Sequence, residues 1–274
     1  MVLSYDPLTD ALFKKFSDLV FENTGIFLKS EKKELLNARL GKRLRQCKIA
    51  SFKEYYKFVQ ADASGEELIS LINSVSTNFT SFFRENSHFE YLSSTVLPEF
   101  SGSSNSELKL WSAACSSGEE PYTLSIVLNN HKQKDRQFSF AIQATDISTR
   151  VLDIAKNGVY AEERIRTISQ NVLRQYFQKG KGNSEGFVKV KKELRDPITF
   201  KRFNLMGDFP WQEEFDVIFC RNVMIYFNRD TQQELIRKFN RCLKPGGYLF
   251  IGHSESLTSI DHPFEQVSTT AYKK

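Results

Sequence analysis

The sequence predicts an all-α domain over residues 1–77, then a doubly wound α/β sheet over 78–274 that carries a small antiparallel β insertion at about 179–203. Three observations carry this. Apolar residues recur at three-to-four spacing through the first part of the chain, with helix punctuation at the ends of each run. Beyond the connecting stretch at 76–92 the texture changes to short apolar runs alternating with helical segments, the pattern of a mostly parallel sheet covered on both faces. Between Lys179 and Phe203 that pattern breaks into "KGKGNSEG", "FVKVKK" and "DPITFKRF", where Val188 and Val190 alternate with Lys189 and Lys191 as in a hairpin.

In the first domain Asp10 is placed to cap a helix whose stripe is Leu12, Phe13, Phe16, Leu19 and Val20, ending near Gly25. Leu36, Leu40 and Leu44 form the next stripe, which puts Arg39 and Arg43 one turn apart on a different, outward face. Ser64 followed by Glu67 has the spacing of a capping box for a helix through Leu68, Leu71, Ile72 and Val75. In the second domain the strand candidates are Leu108–Ser112, Phe138–Thr145, Phe215–Cys220 and Tyr248–Gly252. Helices are expected from Glu119, from Ser148, and from about Asp230 to Leu243 with Leu235, Ile236, Phe239 and Leu243 buried. "KPGG" at 244–247 then ends that last helix and turns the chain into the next strand, while "SGSSNS" at 101–106 reads as a surface loop.

Composition narrows the class. With 40% hydrophobic and 26% charged residues the chain reads as a soluble globular protein. Charges from Asp6 to Glu22 leave no signal-peptide core, and the longest uncharged run, Leu68 to Phe83, is too short and polar to span a bilayer. Cys47, Cys115, Cys220 and Cys242 show neither disulfide nor zinc spacing, which fits a reducing cytoplasm and no metal. The net charge of +5 is concentrated: from Lys29 to Lys57 ten basic residues, among them Arg39, Arg43 and Arg45, face only Glu31, Glu34 and Glu54. Such a face attracts an anionic partner.

The turn "WSAACSSGEEPY" at 111–122 carries the chemistry. Ala113 to Gly118 are all small, so backbone can approach a ligand closely where strand meets helix. Glu119 and Glu120 follow, and two carboxylates at a helix start disfavour a pyrophosphate but suit a ligand with an amino or sulfonium group. Thr145-Asp146 ends the next strand, where an acidic side chain accepts hydrogen bonds from ribose hydroxyls. Together they point to an adenosine carrying positive charge, S-adenosylmethionine. A third strand ends at Arg221 and Asn222 on the same ligand-binding edge, with Tyr226 just beyond. The Pro-Pro-aromatic box that amino-group methyltransferases often place here is missing, which counts against a nucleic-acid substrate.

The segments "STNFTSFFRENSHF", "WSAACSSGEEPYTL", "ATDIS", "FDVIFCRNVMIYF" and "LKPGGYLFIGHSESL" occur in an order that resembles the CheR family of chemotaxis receptor methyltransferases, and with the helical front and β insertion the resemblance covers nearly the whole chain. It implies a Rossmann-like methyltransferase sheet, with S-adenosylmethionine contacts from Asn78, Thr80 and Arg84, from Glu119 and Asp146, from Asn204 and Leu205, and from Arg221 and Asn222. Arg84 and Tyr226 fall where the family's residues lie closest to the transferred methyl. The implied reaction makes methyl esters of glutamates on the cytoplasmic helical signalling domain of methyl-accepting chemotaxis receptors and leaves S-adenosylhomocysteine. The implied enzyme is a cytoplasmic monomer that neither binds nucleic acid nor inserts into a membrane. Arg39, Arg43 and Arg45 would then guide the acidic receptor segment, and the β insertion resembles the family's receptor-tethering subdomain.

Overall fold

A computed structural model describes residues 7–76, 78–101 and 107–274, so most of the serine-rich stretch expected as a loop lies outside the described residues. The first domain packs four helices, Asp10–Thr24 (α1), Lys33–Cys47 (α2), Phe52–Ala61 (α3) and Glu66–Val75 (α4). Their inward stripes, Phe16 and Val20, Leu36, Leu40 and Leu44, Tyr55 and Val59, and Leu71 and Val75, form one core. Two of the expected caps differ. Thr9 rather than Asp10 caps α1, its hydroxyl accepting from Leu12 N–H. The Ser64/Glu67 capping box does not form: Gly65 is the cap residue, and Asp62 reaches forward to accept from Glu67 N–H at 2.7 Å. The Glu67 side chain turns inward instead, to Arg43 and Tyr55.

That inward turn corrects the expected basic face. Arg43 makes a two-pronged pair with the buried Glu67 carboxylate (Nε 2.8 Å, Nη2 2.6 Å), and Arg39 donates to the Val75 carbonyl at 2.7 Å. Both guanidiniums tie α2 to α4, which leaves Lys42 and Arg45 as exposed cations of that helix.

Ser87–Tyr91 (α5) runs through a π-helical turn into Leu97–Ser101 (α6) and leads into the sheet. The chain then follows Leu108–Ala113 (β1), Glu119–Lys132 (α7), Phe140–Asp146 (β2), Thr149–Asn157 (α8), Val159–Ala161 (β3), Gln170–Tyr176 (α9), Phe177–Lys179 (β4), Phe187–Val190 (β5), Lys192–Arg195 (α10), Ile198–Arg202 (β6), Phe215–Cys220 (β7), Arg229–Cys242 (α11), Leu243–Ile251 (β8), Glu265–Ser268 (β9) and Ala271–Lys273 (β10). The main sheet has the order β6-β2-β1-β7-β8-β10-β9, parallel from β6 to β8 and closed by the antiparallel β9–β10 pair, which the strand patterns did not predict. Helices α7 and α8 cover one face with Leu124, Leu128 and Leu152. Helix α11 covers the other with Leu235, Ile236 and Phe239. It stops at Cys242, and "KPGG" falls inside β8 rather than between helix and strand.

The β insertion is displaced from its expected range. A separate antiparallel sheet, β3-β5-β4, spans 159–190, and "ITFKR" belongs to the main sheet, where β6 pairs in parallel with β2. Among the described residues no helix is long and apolar enough to cross a membrane.

The chain leaves β1 toward β2 and β6 on one side and toward β7 and β8 on the other, so the order reverses between β1 and β7. Ala113 and Cys220 are paired at the carboxyl ends of these two strands, and the crevice beyond them is where a doubly wound sheet binds its ligand. The helical domain covers that crevice. Ile26 packs against the cores of both domains, Phe27 N–H donates to the Tyr226 carbonyl at 2.8 Å, and Ser148 Oγ donates to Asn73 at 2.6 Å.

Candidate active site

A cavity of about 240 Å³ lies between the two domains at this crevice. Its floor is built by the turn after β1. Gly118 sits at φ 96°, and a Cβ there would stand 2.8 Å from the Ala155 Cβ on α8, so only glycine allows this turn to pack. Ala114 and Ser116 adopt left-handed conformations at φ 66° and 50°, as does Asn222 at φ 58° on the same cavity. Three of the seven non-glycine residues at positive φ in the described structure thus line one site, where backbone strain of this kind concentrates.

Asp146 ends β2 and faces the cavity at 6% exposure. Its Oδ2 accepts from Ser116 N–H at 2.8 Å and its Oδ1 from Ser148 N–H at 2.9 Å, which fixes the carboxylate and leaves each oxygen a further lone pair. Burial raises its pKa, opposed by those two amides. The structure separates the paired glutamates of the turn. Glu119 does not line the cavity: it is fully buried behind the turn, ion-paired with Arg164 and bonded to Ser117 Oγ at 2.8 Å. Glu120 does line it, held by Ser112 Oγ at 2.7 Å and Arg221 Nη1 at 2.8 Å. Adjacent helical residues point about 100° apart, so one of the pair faces the ligand space and the other the core.

Arg221 anchors the third strand's end. Besides Glu120 it reaches Glu85 at 3.0 Å, the Arg84 carbonyl, and the face of Phe89 at 5.4 Å from its centre. Asn222 Nδ2 donates to the other Glu85 oxygen at 3.0 Å. The Glu255 carboxylate accepts from the backbone N–H groups of Asn222, Val223, Met224 and Gly252 at 2.6–3.0 Å, pinning the turn that delivers Tyr226 to the cavity. Glu85, His88 and His253 bring possible metal-ligand atoms within 4.8 Å of one another, but both Glu85 oxygens are taken up by Arg221 and Asn222, so the group is part of this ion-pair network.

The segment joining the domains forms the near wall. Asn78 presents its carbonyl to Ser116 Oγ at 3.0 Å, and Asn78 and Thr80 both line the cavity. Arg84 donates to the Phe79 carbonyl at 2.8 Å and lies 5.5 Å from the centre of that ring. Asn204 and Leu205 complete the far wall, with Asn204 Nδ2 bonded to the Asn23 carbonyl at 2.7 Å. Of the sequence-predicted cofactor and catalytic residues, all but Glu119 meet at one cavity. Among the described residues no histidine lines it, and burial pushes the Cys115 thiol well above its ordinary range.

Residues 11–76 match the family model described as the all-alpha domain of CheR methyltransferase, and residues 78–273 match its SAM binding domain. The chain belongs to the CheR methyltransferase family. Chemotaxis protein methyltransferases similar to this CheR chain include those of Klebsiella aerogenes (39% identical, covering 97% of this chain and 90% of that protein), Borreliella burgdorferi (40%, 93% and 91%) and Escherichia coli (37%, 97% and 91%). The matched domain is one that binds S-adenosylmethionine, and the cavity carries two carboxylates, Asp146 and Glu120, of the kind that hydroxyl and cationic groups of such a ligand require.

The sequence could offer Glu119 and Glu120 only as a pair, because nothing in "GEE" says which glutamate faces the cavity. Glu85 and Glu255 gave no signal of their own, since the hydrogen-bond partners of their carboxylates, Gly252 apart, lie more than thirty positions away. Phe27 and Leu28, which reach the cavity from the helical domain, lie in a loop without a motif.

Proposed function

We propose that this protein transfers the methyl group of S-adenosylmethionine to glutamate side chains on the helical signalling domain of chemotaxis receptors, forming methyl esters that adapt the receptor's signal in the cytoplasm. Relatives that carry the name chemotaxis protein methyltransferase and align over nearly their whole length support the pathway. The observation that carries the choice of nucleophile is a cavity with cationic Arg84 and Arg39 on its wall and no lining histidine among the described residues.

A carboxylate needs no base, because a glutamate with a pKa of about 4.3 is already ionised at neutral pH. An amine or hydroxyl substrate would need one. The cofactor supplies an electrophilic methyl on a sulfonium centre. Asp146 is assigned to the ribose hydroxyls and Glu120 to the cofactor's amino group. Asn78, Thr80, Asn204, Leu205, Arg221 and Asn222 shape the rest of its bed. Arg84 and Tyr226 orient the incoming carboxylate and set the local field. The domain-bridging wall excludes the water that blunts a carboxylate nucleophile. Glu119 acts indirectly, by fixing the turn from behind through Arg164.

The test is incubation with methyl-labelled S-adenosylmethionine and a receptor signalling fragment. Label that transfers to the fragment and is released as methanol by mild base supports an ester. Base-stable label would assign the methyl to nitrogen or another group.

A further inference from the structure

We propose that Phe27, Leu35, Phe79 and Ile225 form an apolar collar at the mouth of the active site that reads the residues flanking the target glutamate, so that the substrate helix must present an apolar side chain about one turn from the methylated position. The inference rests on the receptor-methylation reading and adds a specificity element to it.

Seven large hydrophobic side chains stand exposed in the described structure, and three of them, Phe27, Leu35 and Phe79, line the active-site cavity. Ile225, also exposed, does not itself line the cavity but lies in the chain between Val223 and Tyr226, which do. The collar residues come from four separate segments: the loop after α1, the first turn of α2, the interdomain connection, and the turn after β7. The Phe27 N–H bond to the Tyr226 carbonyl holds two of those segments together, and Arg84 steadies Phe79 through its carbonyl and ring. Single exposed hydrophobics are ordinary, whereas a cluster converging on a cavity marks a contact surface. Phe79, at 74% exposure, is its most prominent member.

Charge identifies the occupant. Lys32, Arg39 and Arg84 line the same cavity, and among the described residues none of them pairs with a carboxylate. Lys42 and Arg45 extend that positive field along α2. A partner that satisfies both features is acidic overall and apolar where it touches the rim. On a helix, a glutamate and an apolar residue three or four positions away share one face, which matches a carboxylate entering the cavity while its neighbour packs on the collar. Packing there also strips water from around the carboxylate, so docking and reactivity are coupled.

The test compares wild type with Phe79→Ala, Phe79→Leu and Ile225→Ser as full-length proteins, by steady-state methylation of a receptor signalling fragment and by calorimetric titration with S-adenosylhomocysteine. The alanine and serine variants are expected to lose roughly tenfold in kcat/KM for the fragment while their S-adenosylhomocysteine affinity stays within about twofold, and Phe79→Leu is expected to recover most of the loss. Changing the fragment's apolar residues three and four positions from the target glutamate to serine should impair wild type in the same way and add little to Phe79→Ala. Unchanged kcat/KM in the variants, fully additive effects, or a parallel loss of S-adenosylhomocysteine affinity would overturn the collar while wild-type turnover stands. A wild type that methylates no carboxylate of the fragment would overturn the methylation reading and the collar with it.

Discussion

Arg221 donates through Nη1 to the Glu120 carboxylate at 2.8 Å, with only 2% and 12% of the two side chains exposed. Removing the cation strands two carboxylates, Glu120 and Glu85, at the cavity. Arg221→Ala is therefore expected to cost about 3–5 kcal/mol of stability, read by urea denaturation. A loss below about 1 kcal/mol would show that the network carries little of the fold around the site.

The two glutamates of the turn should separate by experiment. Glu120→Gln is expected to weaken S-adenosylhomocysteine binding by roughly tenfold or more, because an ionic hydrogen bond to the ligand is lost. Glu119→Gln, whose side chain is sealed against Arg164, should leave that affinity nearly unchanged and lower the unfolding midpoint instead. The reverse pattern in calorimetry would return the cofactor role to Glu119.

The basic helix divides in the same way. Arg43→Ala exposes no docking surface but leaves Glu67 buried without its cation, an expected loss of about 3 kcal/mol. Lys42→Glu combined with Arg45→Glu changes exposed charges, so stability should move by no more than about 0.5 kcal/mol. The apparent KM for receptor should rise, with affinity for S-adenosylhomocysteine intact. An unchanged KM at low salt would remove this face from receptor docking.

Stability should also depend on His88. Burial, reinforced by the charge of Arg221, lowers its pKa to about 3 from 6.5. As the pH falls below about 6.5 the unfolded chain takes up a proton there and the folded chain does not, so stability drops by about 1.4 kcal/mol per pH unit until the folded value is reached. The stability difference between pH 7 and pH 5 should be about 2 kcal/mol smaller in His88→Asn than in wild type. Identical pH dependence in the two proteins would contradict a buried neutral imidazole.

Much of the site was legible because its residues end buried strands. "WSAACSSG", "ATD" and "FDVIFCRN" are apolar runs that stop at small or polar residues, and strands of one parallel sheet deliver such ends to one edge. Less legible was anything decided by a distant partner. The period-two pattern of "ITFKR" is the same whether it pairs in an insertion or beside β2. Arg43 looks outward on its own helix until Glu67 arrives from another. In the Ser64/Glu67 spacing the demand for a partner buried beside Tyr55 outweighs local capping. Which of two successive glutamates faces a ligand depends on the rotation at which α7 begins, and Gly118 sets that rotation by packing on Ala155.

The turn after β1 and the end of β2 are expected to hold an S-adenosyl ligand, and calorimetric titration of the purified protein with S-adenosylhomocysteine measures this. One binding event per chain is expected, abolished or greatly weakened in Asp146→Ala. Absence of binding to wild type, or binding that Asp146→Ala leaves untouched, would contradict it.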